Sequence, residues 1–510
     1  MKRKKKSKRW IAGMCAAVMT TGVLAGCGGD SGEATPEAAA GDAGSSAPFR
    51  ITLATAQVGD VPATDNEVEK AIESYTNTQL DIQWIPSAAY DEKVNVMVAA
   101  DEMPMMLRVK YVPTTISSIQ SDLFWEVGPL LGEYKNLSAL NKQYYENISV
   151  DGKIYGIPQF RDIARSAVIY REDWLKKLGM KPPVTVDEWY NVLKAMTLND
   201  PDGNGKNDTY GMVLGKKYNE GVSAMTTRMA VALGAPNKWA VDSAGKFTPE
   251  FVTPEFNEIL KLFRKLFAEK LINQDFAAFE DADAEKMYDS GRVGIRIAVA
   301  QNAKSMQDRL SKTVPDGIYD VMPPTGPKGI RAAGESGNNG FFVFPKSKVK
   351  NEAELKKLLA FADKMLDEPM ATLQLRGVEG KHYTKVDGGK TEFKDFSAFQ
   401  REVKPYRDSL FNVEGFNVAP LKDTPLGEKG TKIPPENLKT AVLNPALNLT
   451  SATYSERGKE LEQMMYDAQT KYIMGKIDDA GLQAEIEKWR KAGGDQVAKE
   501  YEAAYAKLKK

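Results

Sequence analysis

Asp200-Pro201-Asp202-Gly203-Asn204-Gly205-Lys206-Asn207-Asp208 is the stretch whose residue types and spacing are best suited to chemistry. Counted from Asp200, side-chain oxygens fall at positions 1, 3, 5 and 9 (Asp200, Asp202, Asn204 and Asp208), with Gly205 at position 6. An EF-hand-type loop winds around a calcium ion at this spacing, and its glycine permits the sharp turn. Lys206, at position 7, would offer its backbone carbonyl. Position 12 is Gly211, where a bidentate glutamate is usual, so that ligand must come from elsewhere or be absent. A structural calcium ion that stiffens the fold is expected here. The alternative is an Asp/Asn/Gly turn without metal.

Constellations for catalysis are scarce. The 510 residues contain one histidine, His382, and two cysteines, both near the amino end. Ser-His-Asp, Cys-His and histidine-based zinc sites are therefore all but excluded. No full Gly-x-x-x-x-Gly-Lys-Ser/Thr phosphate loop is present, and no dinucleotide fingerprint follows the first strand. A glycosidase needs only two carboxylates, and the chain has 69 acidic residues, which a solvated surface of this size carries anyway. An enzyme is not expected.

The amino end fixes the address. Seven cations (Lys2, Arg3, Lys4, Lys5, Lys6, Lys8 and Arg9) precede an apolar run from Trp10 to Leu24. The run is about 14 residues, too short to span a hydrocarbon core of about 30 Å, and it reads as a secretory signal. Leu24-Ala25-Gly26-Cys27 follows it and resembles the cleavage site of a bacterial lipoprotein. That resemblance implies removal of residues 1–26 and lipidation of Cys27, with the protein held on the extracellular face of the cell membrane. Cys15 leaves with the signal, so no disulfide can form in the mature chain. Cleavage also leaves 62 basic against 69 acidic residues, a formal charge of −7. Such a surface offers no field for phosphate backbones, so nucleic acid is not an expected partner. No second apolar stretch approaches the about 18 residues of a membrane span. Residues 27–47 are Gly, Ala, Ser, Pro and acids after the cysteine, a flexible tether.

The elements that must position any site begin at Phe49. Alternation over 49–53 predicts a strand, 66–75 a helix, 80–85 a second strand and 90–100 a helix. Strands alternating with helices imply parallel βαβ units and an α/β fold. Further strands are expected at 166–170, 293–299, 319–322 and 340–345. Helices are expected at 186–197 (Thr185 as N-cap), 253–270, 352–366 and through the Ala-, Lys- and Glu-rich tail from 454 to 510. Chains beyond about 250–300 residues divide, so two lobes are expected.

Gly152-Lys153-Ile154-Tyr155-Gly156-Ile157-Pro158 is followed by a strand and then Arg171-Glu172-Asp173-Trp174-Leu175-Lys176-Lys177-Leu178-Gly179. This run resembles the extracellular solute-binding proteins of ABC importers, the type that feeds oligosaccharides to a permease. Four further stretches resemble its large lipoprotein subfamily: Leu233-Gly234-Ala235-Pro236-Asn237-Lys238-Trp239, Gly291-Arg292-Val293-Gly294, Gly340 to Lys346, and Gly377-Val378-Glu379-Gly380-Lys381-His382-Tyr383. One departure is Asp101-Glu102-Met103-Pro104-Met105, where the family usually reads Gly-Asp-Leu/Ile-Pro-Asp.

The resemblance implies a two-lobe, periplasmic-binding-protein-like fold of type II with hinge crossings near Ile157-Pro158, 319–323 and 341–345. Residues 48–157 with 319–341 would form one lobe and 158–318 with 342–450 the other, with 451–510 packing on them. It also implies an oligosaccharide ligand, ABC permease subunits as partners, and a monomer. A receptor for peptides or other polar solutes is the second reading, and a glycan-active enzyme the third. Calcium is often held at the 200–208 loop in this family.

Sugar sites combine aromatic platforms with hydrogen-bonding groups on loops at the carboxyl ends of strands. That criterion selects Gln57, Asp60, Lys110, Tyr111, Gln159, Arg161, Asp162, Arg296, Glu335 and Asn338. Trp239 follows a turn that a core tryptophan would not need, and His382 and Tyr383 sit in a glycine-bounded loop. Trp84, Trp174 and Trp189 read as core, while Trp125 fits core or cleft equally.

Overall fold

Strand β1 (Phe49–Gln57) lies between β2 (Thr78–Pro86) and β3 (Met106–Val109), parallel to both. Helices α1 (Glu67–Thr76) and α2 (Ser87–Ala99) make the two crossovers. Both faces of β1 are buried. Ile51 and Leu53 face one cluster with Val68 and Ile72 of α1, and Ala54 and Ala56 face another with Tyr90, Val94 and Met97 of α2. A strand covered on both faces loses its polar side, which is why 51–56 reads as nearly continuous apolar sequence. The computed structural model describes residues 47–57 and 59–509. The signal, Cys27 and most of the tether lie outside the described residues.

The parallel expectation ends at β3. The sheet is completed by β10 (Asn338–Val343), antiparallel to β3 and to β4 (Gly156–Phe160), in the order β2-β1-β3-β10-β4. A second sheet has β5 (Ser166–Arg171) between β8 (Ile295–Val299) and β9 (Tyr319–Met322), all antiparallel. A hairpin of β6 (Trp239–Val241) and β7 (Phe247–Pro249) stands apart from both sheets.

Around the second sheet pack α3 (Val186–Leu198), α4 (Met225–Leu233) and α5 (Pro254–Ala268). Thr185 caps α3 as expected: its hydroxyl accepts the Glu188 N–H, and Glu188 answers through the Thr185 N–H. The tail forms three helices, α7 (Ala452–Ile473), α8 (Asp479–Trp489) and α9 (Asp495–Leu508), after α6 (Glu352–Lys364). Leu461, Met465, Trp489 and Tyr501 of the tail share one cluster with Phe256 and Phe263 of α5. The tail is thus part of the second core.

Two lobes are present, but the chain is shared between them differently from the expected division. Residues 319–322 pair with β5 in the second sheet, whereas Phe361, Phe399, Tyr406 and Phe411 build the core under the first. The third crossing falls after Phe416, which packs on the first core, and before Leu426, which packs on the second, not at 341–345. An extended segment carries no local signal of which sheet it joins; register and long-range burial decide it.

Candidate functional site

A cavity of about 520 Å³ opens where the two lobes and the tail meet. The first lobe supplies Lys110 and Tyr111 just after β3, and Asn338 to Gly340 at the start of β10. The second supplies Val222, Lys238, Trp239 and Phe251, and the tail supplies Tyr454, Tyr466, Trp489 and Tyr501. One wall is aromatic. Trp239 meets Tyr501 edge-on at 5.3 Å, Trp489 meets Phe251 at 4.9 Å, and Tyr454 lies 6.4 Å from Tyr501. The other surfaces are rich in amides: Asn147, Asn219, Asn338, Asn339 and Gln469.

The cations at this cavity already have partners, Lys110 with Asp91 at 2.6 Å and Lys238 with Glu250 at 3.2 Å. Tyr111 donates toward the carbonyls of Ser149 at 2.9 Å and Asn448 at 3.0 Å, joining the first lobe to the segment that leads into the tail. Burial raises its phenol well above the ordinary value, so it remains a donor at neutral pH. Neutral donors and acceptors beside an apolar wall suit a polyhydroxyl ligand with C–H faces.

Of the residues expected at the site, Lys110, Tyr111, Trp239 and Asn338 come together on this cavity. Gln57 and Asp60 lie at the end of β1 and just beyond, where the Gln57 amide bonds the Gly59 carbonyl at 2.8 Å and Asp60 is exposed. Gln159 is buried and accepts from Arg108 at 2.7 Å. Arg161 is exposed on the first crossing and Asp162 accepts from Gln301 at 2.8 Å. Glu335 is buried between Arg165 and Arg228. None of these six lines the cavity.

Arg296 turns the other way, onto the Tyr288 ring and into an ion pair with Glu285. His382 is wholly buried: Nδ1 accepts the Val378 N–H at 2.9 Å and Nε2 lies 3.3 Å from Glu402. Gly377, at φ 90, allows this, because a Cβ there would come within 2.6 Å of the imidazole side chain. Tyr383 is buried in the β-hairpin beside it. The glycines that suggested a surface loop instead seat a core histidine.

Trp174 and Trp189 are buried as expected, and Trp84 packs edge-on against Tyr406 at 5.7 Å. Trp125 resolves to the core side, donating to the Val349 carbonyl at 2.9 Å. Sequence reasoning missed the tail's share of the cavity. Tyr454, Trp489 and Tyr501 stand at helical spacings among alanine and lysine, a pattern that reads as ordinary core.

In the 200–208 loop, both Gly203 (φ 73) and Gly205 (φ 74) take left-handed backbone. Asp200 accepts the N–H groups of Asn204 at 3.0 Å and Gly205 at 3.1 Å. The Asn204 amide bridges Asp202 at 2.8 Å and Asp208 at 3.1 Å. Among the described residues no three His, Cys, Asp or Glu side chains converge as a metal site. The donor chemistry nevertheless fits a hard cation. Burial first, then a hydrogen bond with Asp200 and the charges of Asp208 and Asp200, hold the Asp202 carboxyl above its ordinary value, and a divalent ion would offset this crowding of acids.

The family model for bacterial extracellular solute-binding proteins matches residues 56–368. A polygalacturonan/rhamnogalacturonan-binding protein of Bacillus subtilis, YtcQ, is 34% identical over 96% of this chain and 97% of its own length. The Bacillus subtilis lipoprotein LipO is 35% identical over 98% of this chain and 99% of its own. Among solved structures, a solute-binding protein of Bifidobacterium longum infantis described as binding HMO superposes with a TM-score of 0.69 at 17% identity. The match covers 91% of this chain and 99% of that one. With its lobes, its cleft and these relatives in view, the chain belongs to the bacterial extracellular solute-binding proteins.

Proposed function

We propose that this protein is the cargo receptor of an ABC importer, held on the outer face of the membrane by a lipid on Cys27, and that it captures an oligosaccharide and passes it to the permease. The carrying observation is the cavity between the lobes, with the Trp239–Tyr501–Trp489 wall on one side and amides on the other. The names of the two Bacillus relatives support the saccharide and the anchor. Residues 48–160 with 338–416 act as one lobe and 166–333 with 425–510 as the other. Cargo bound between them favours the closed arrangement through contacts that only closure completes. The receptor works as a monomer and returns its cargo chemically unchanged.

A structural Ca2+ completes this reading. Asp200, Asp202, Asn204, Asp208 and the Lys206 carbonyl would hold it, and its role is to stiffen the second lobe.

The test is calorimetry against trigalacturonate, neutral tri- and tetrasaccharides and short peptides, with the sugar analysed after recovery. Saturable binding of one saccharide class, with intact sugar recovered, is expected. Trp239→Ala is expected to weaken that binding about tenfold through loss of the ring face. Binding of peptides alone, or a shortened sugar on recovery, would overturn the reading.

A further inference from the structure

Lys238 holds a backbone conformation that lysine adopts only at a cost. Its φ is 60, in the left-handed region where a Cβ crowds the following carbonyl and only glycine is comfortable. The next residue is Trp239, whose ring lines the cavity. Upstream, the buried Asn237 amide donates to the carbonyls of Gly334 at 2.7 Å and Val442 at 2.9 Å, which pins the turn to the crossing segments. The Trp239 N–H then closes a tight turn on the Asn237 carbonyl at 2.6 Å.

Downstream a single side chain secures the turn. The Lys238 N–H donates to Glu250 Oε2 at 3.0 Å, and the Lys238 ammonium lies 3.2 Å from Oε1. The Lys238 carbonyl accepts the Glu250 N–H at 2.7 Å. Glu250 is buried, and the Thr227 hydroxyl, donating to Oε1 at 2.8 Å, holds it in place. Both carboxylate oxygens are therefore already engaged by this chain's own donors. A residue in a sparsely populated conformation persists only where its surroundings over-determine it, and such residues gather at binding surfaces.

We propose that Glu250 is the positioning residue of the cleft: it locks Lys238 in the left-handed conformation and so sets the ring face that Trp239 offers to cargo. The proposal rests on the saccharide reading above. It differs from a direct contact in one consequence, which glycine at 238 exposes. Glycine takes the same φ without help, so the need for Glu250 falls when Lys238 is replaced.

Four proteins test this: the wild type, Glu250→Gln, Lys238→Gly and the double variant, each first shown to melt cooperatively. Glu250→Asp replaces Glu250→Gln if the latter does not. The first measurement uses no ligand. It is the emission maximum and acrylamide quenching of Trp239, taken as the difference from the matching Trp239→Phe protein. Glu250→Gln is expected to move both in the wild-type background and to move them little on the Lys238→Gly background. The second is calorimetric affinity for trigalacturonate, with an expected loss of about tenfold in the first background and under about twofold in the second. Equal losses in the two backgrounds, or Trp239 emission untouched by Glu250→Gln, would overturn the proposal. A wild type that binds no saccharide would defeat the cargo reading instead, and the emission comparison would still decide the positioning role.

Discussion

Arg228 and Glu335 meet in the interior of the protein, Nη2 to Oε1 at 2.6 Å, each only 6% exposed. Arg165 reaches the other oxygen at 2.7 Å, and the Ser223 hydroxyl lies 3.2 Å from Oε1. The Glu335 N–H donates to the Ile163 carbonyl at 2.7 Å, so two crossing segments are joined at this residue. Ser336, next to Glu335, and Val222, next to Ser223, line the cavity. The floor of the cleft is fastened to the crossings at this carboxylate as well as at the Asn237 amide.

Glu335→Gln leaves the buried Arg228 guanidinium and the half-buried Arg165 guanidinium without their counter-charge. Breaking a buried pair from one side costs about 3–5 kcal/mol. The expected result in urea is an earlier midpoint with an unchanged slope, and a loss below about 1 kcal/mol would show the triad to be a minor contributor.

Calcium is expected to stabilise the protein by mass action. A free concentration of a hundred times Kd contributes about 2.7 kcal/mol, which appears as a Tm higher by a few degrees. Excess chelator is expected to remove that rise, and Asp208→Ala to make Tm indifferent to chelator. A wild-type Tm that ignores chelator would mark the loop as a turn without metal.

Acid is expected to loosen the tail through Glu500. Burial alone would raise this carboxyl, but hydrogen bonds from Ser451, Gln496 and both donors of Thr453 bring it down to about 2. The ordinary value is 4.5. A group depressed in the folded state stabilises fully above its unfolded value and loses that contribution as pH falls through the folded one. Melting curves from pH 5 down to pH 2 are therefore expected to converge for the wild type and Glu500→Gln. Curves that stay parallel would assign the stability of the α7–α9 contact to packing alone.

The first βαβ unit was readable because alternation over 49–53 and the succession of helix, strand and helix after it are local signals. The Thr185 capping box was readable for the same reason. Partnership was not. The tetrapeptide Tyr319 to Met322 looks alike whether it joins β5 or β4, and only the paired strand distinguishes them. At the site, the rule of strand ends selected Lys110 and Tyr111, which line the cavity, and Arg296, which a neighbouring helix holds through Glu285. The tail aromatics stayed hidden because a helix face turned to a cavity and one turned to a core share the same spacing.

Tyr454, Trp489 and Tyr501 follow every strand of both sheets in the chain, so all the strands are made before one wall of the cavity is. The second sheet's core and that wall are completed by the same event, the docking of α7 to α9. A nick between α7 and α9 would therefore strike the core of the second lobe and the wall of the cavity together.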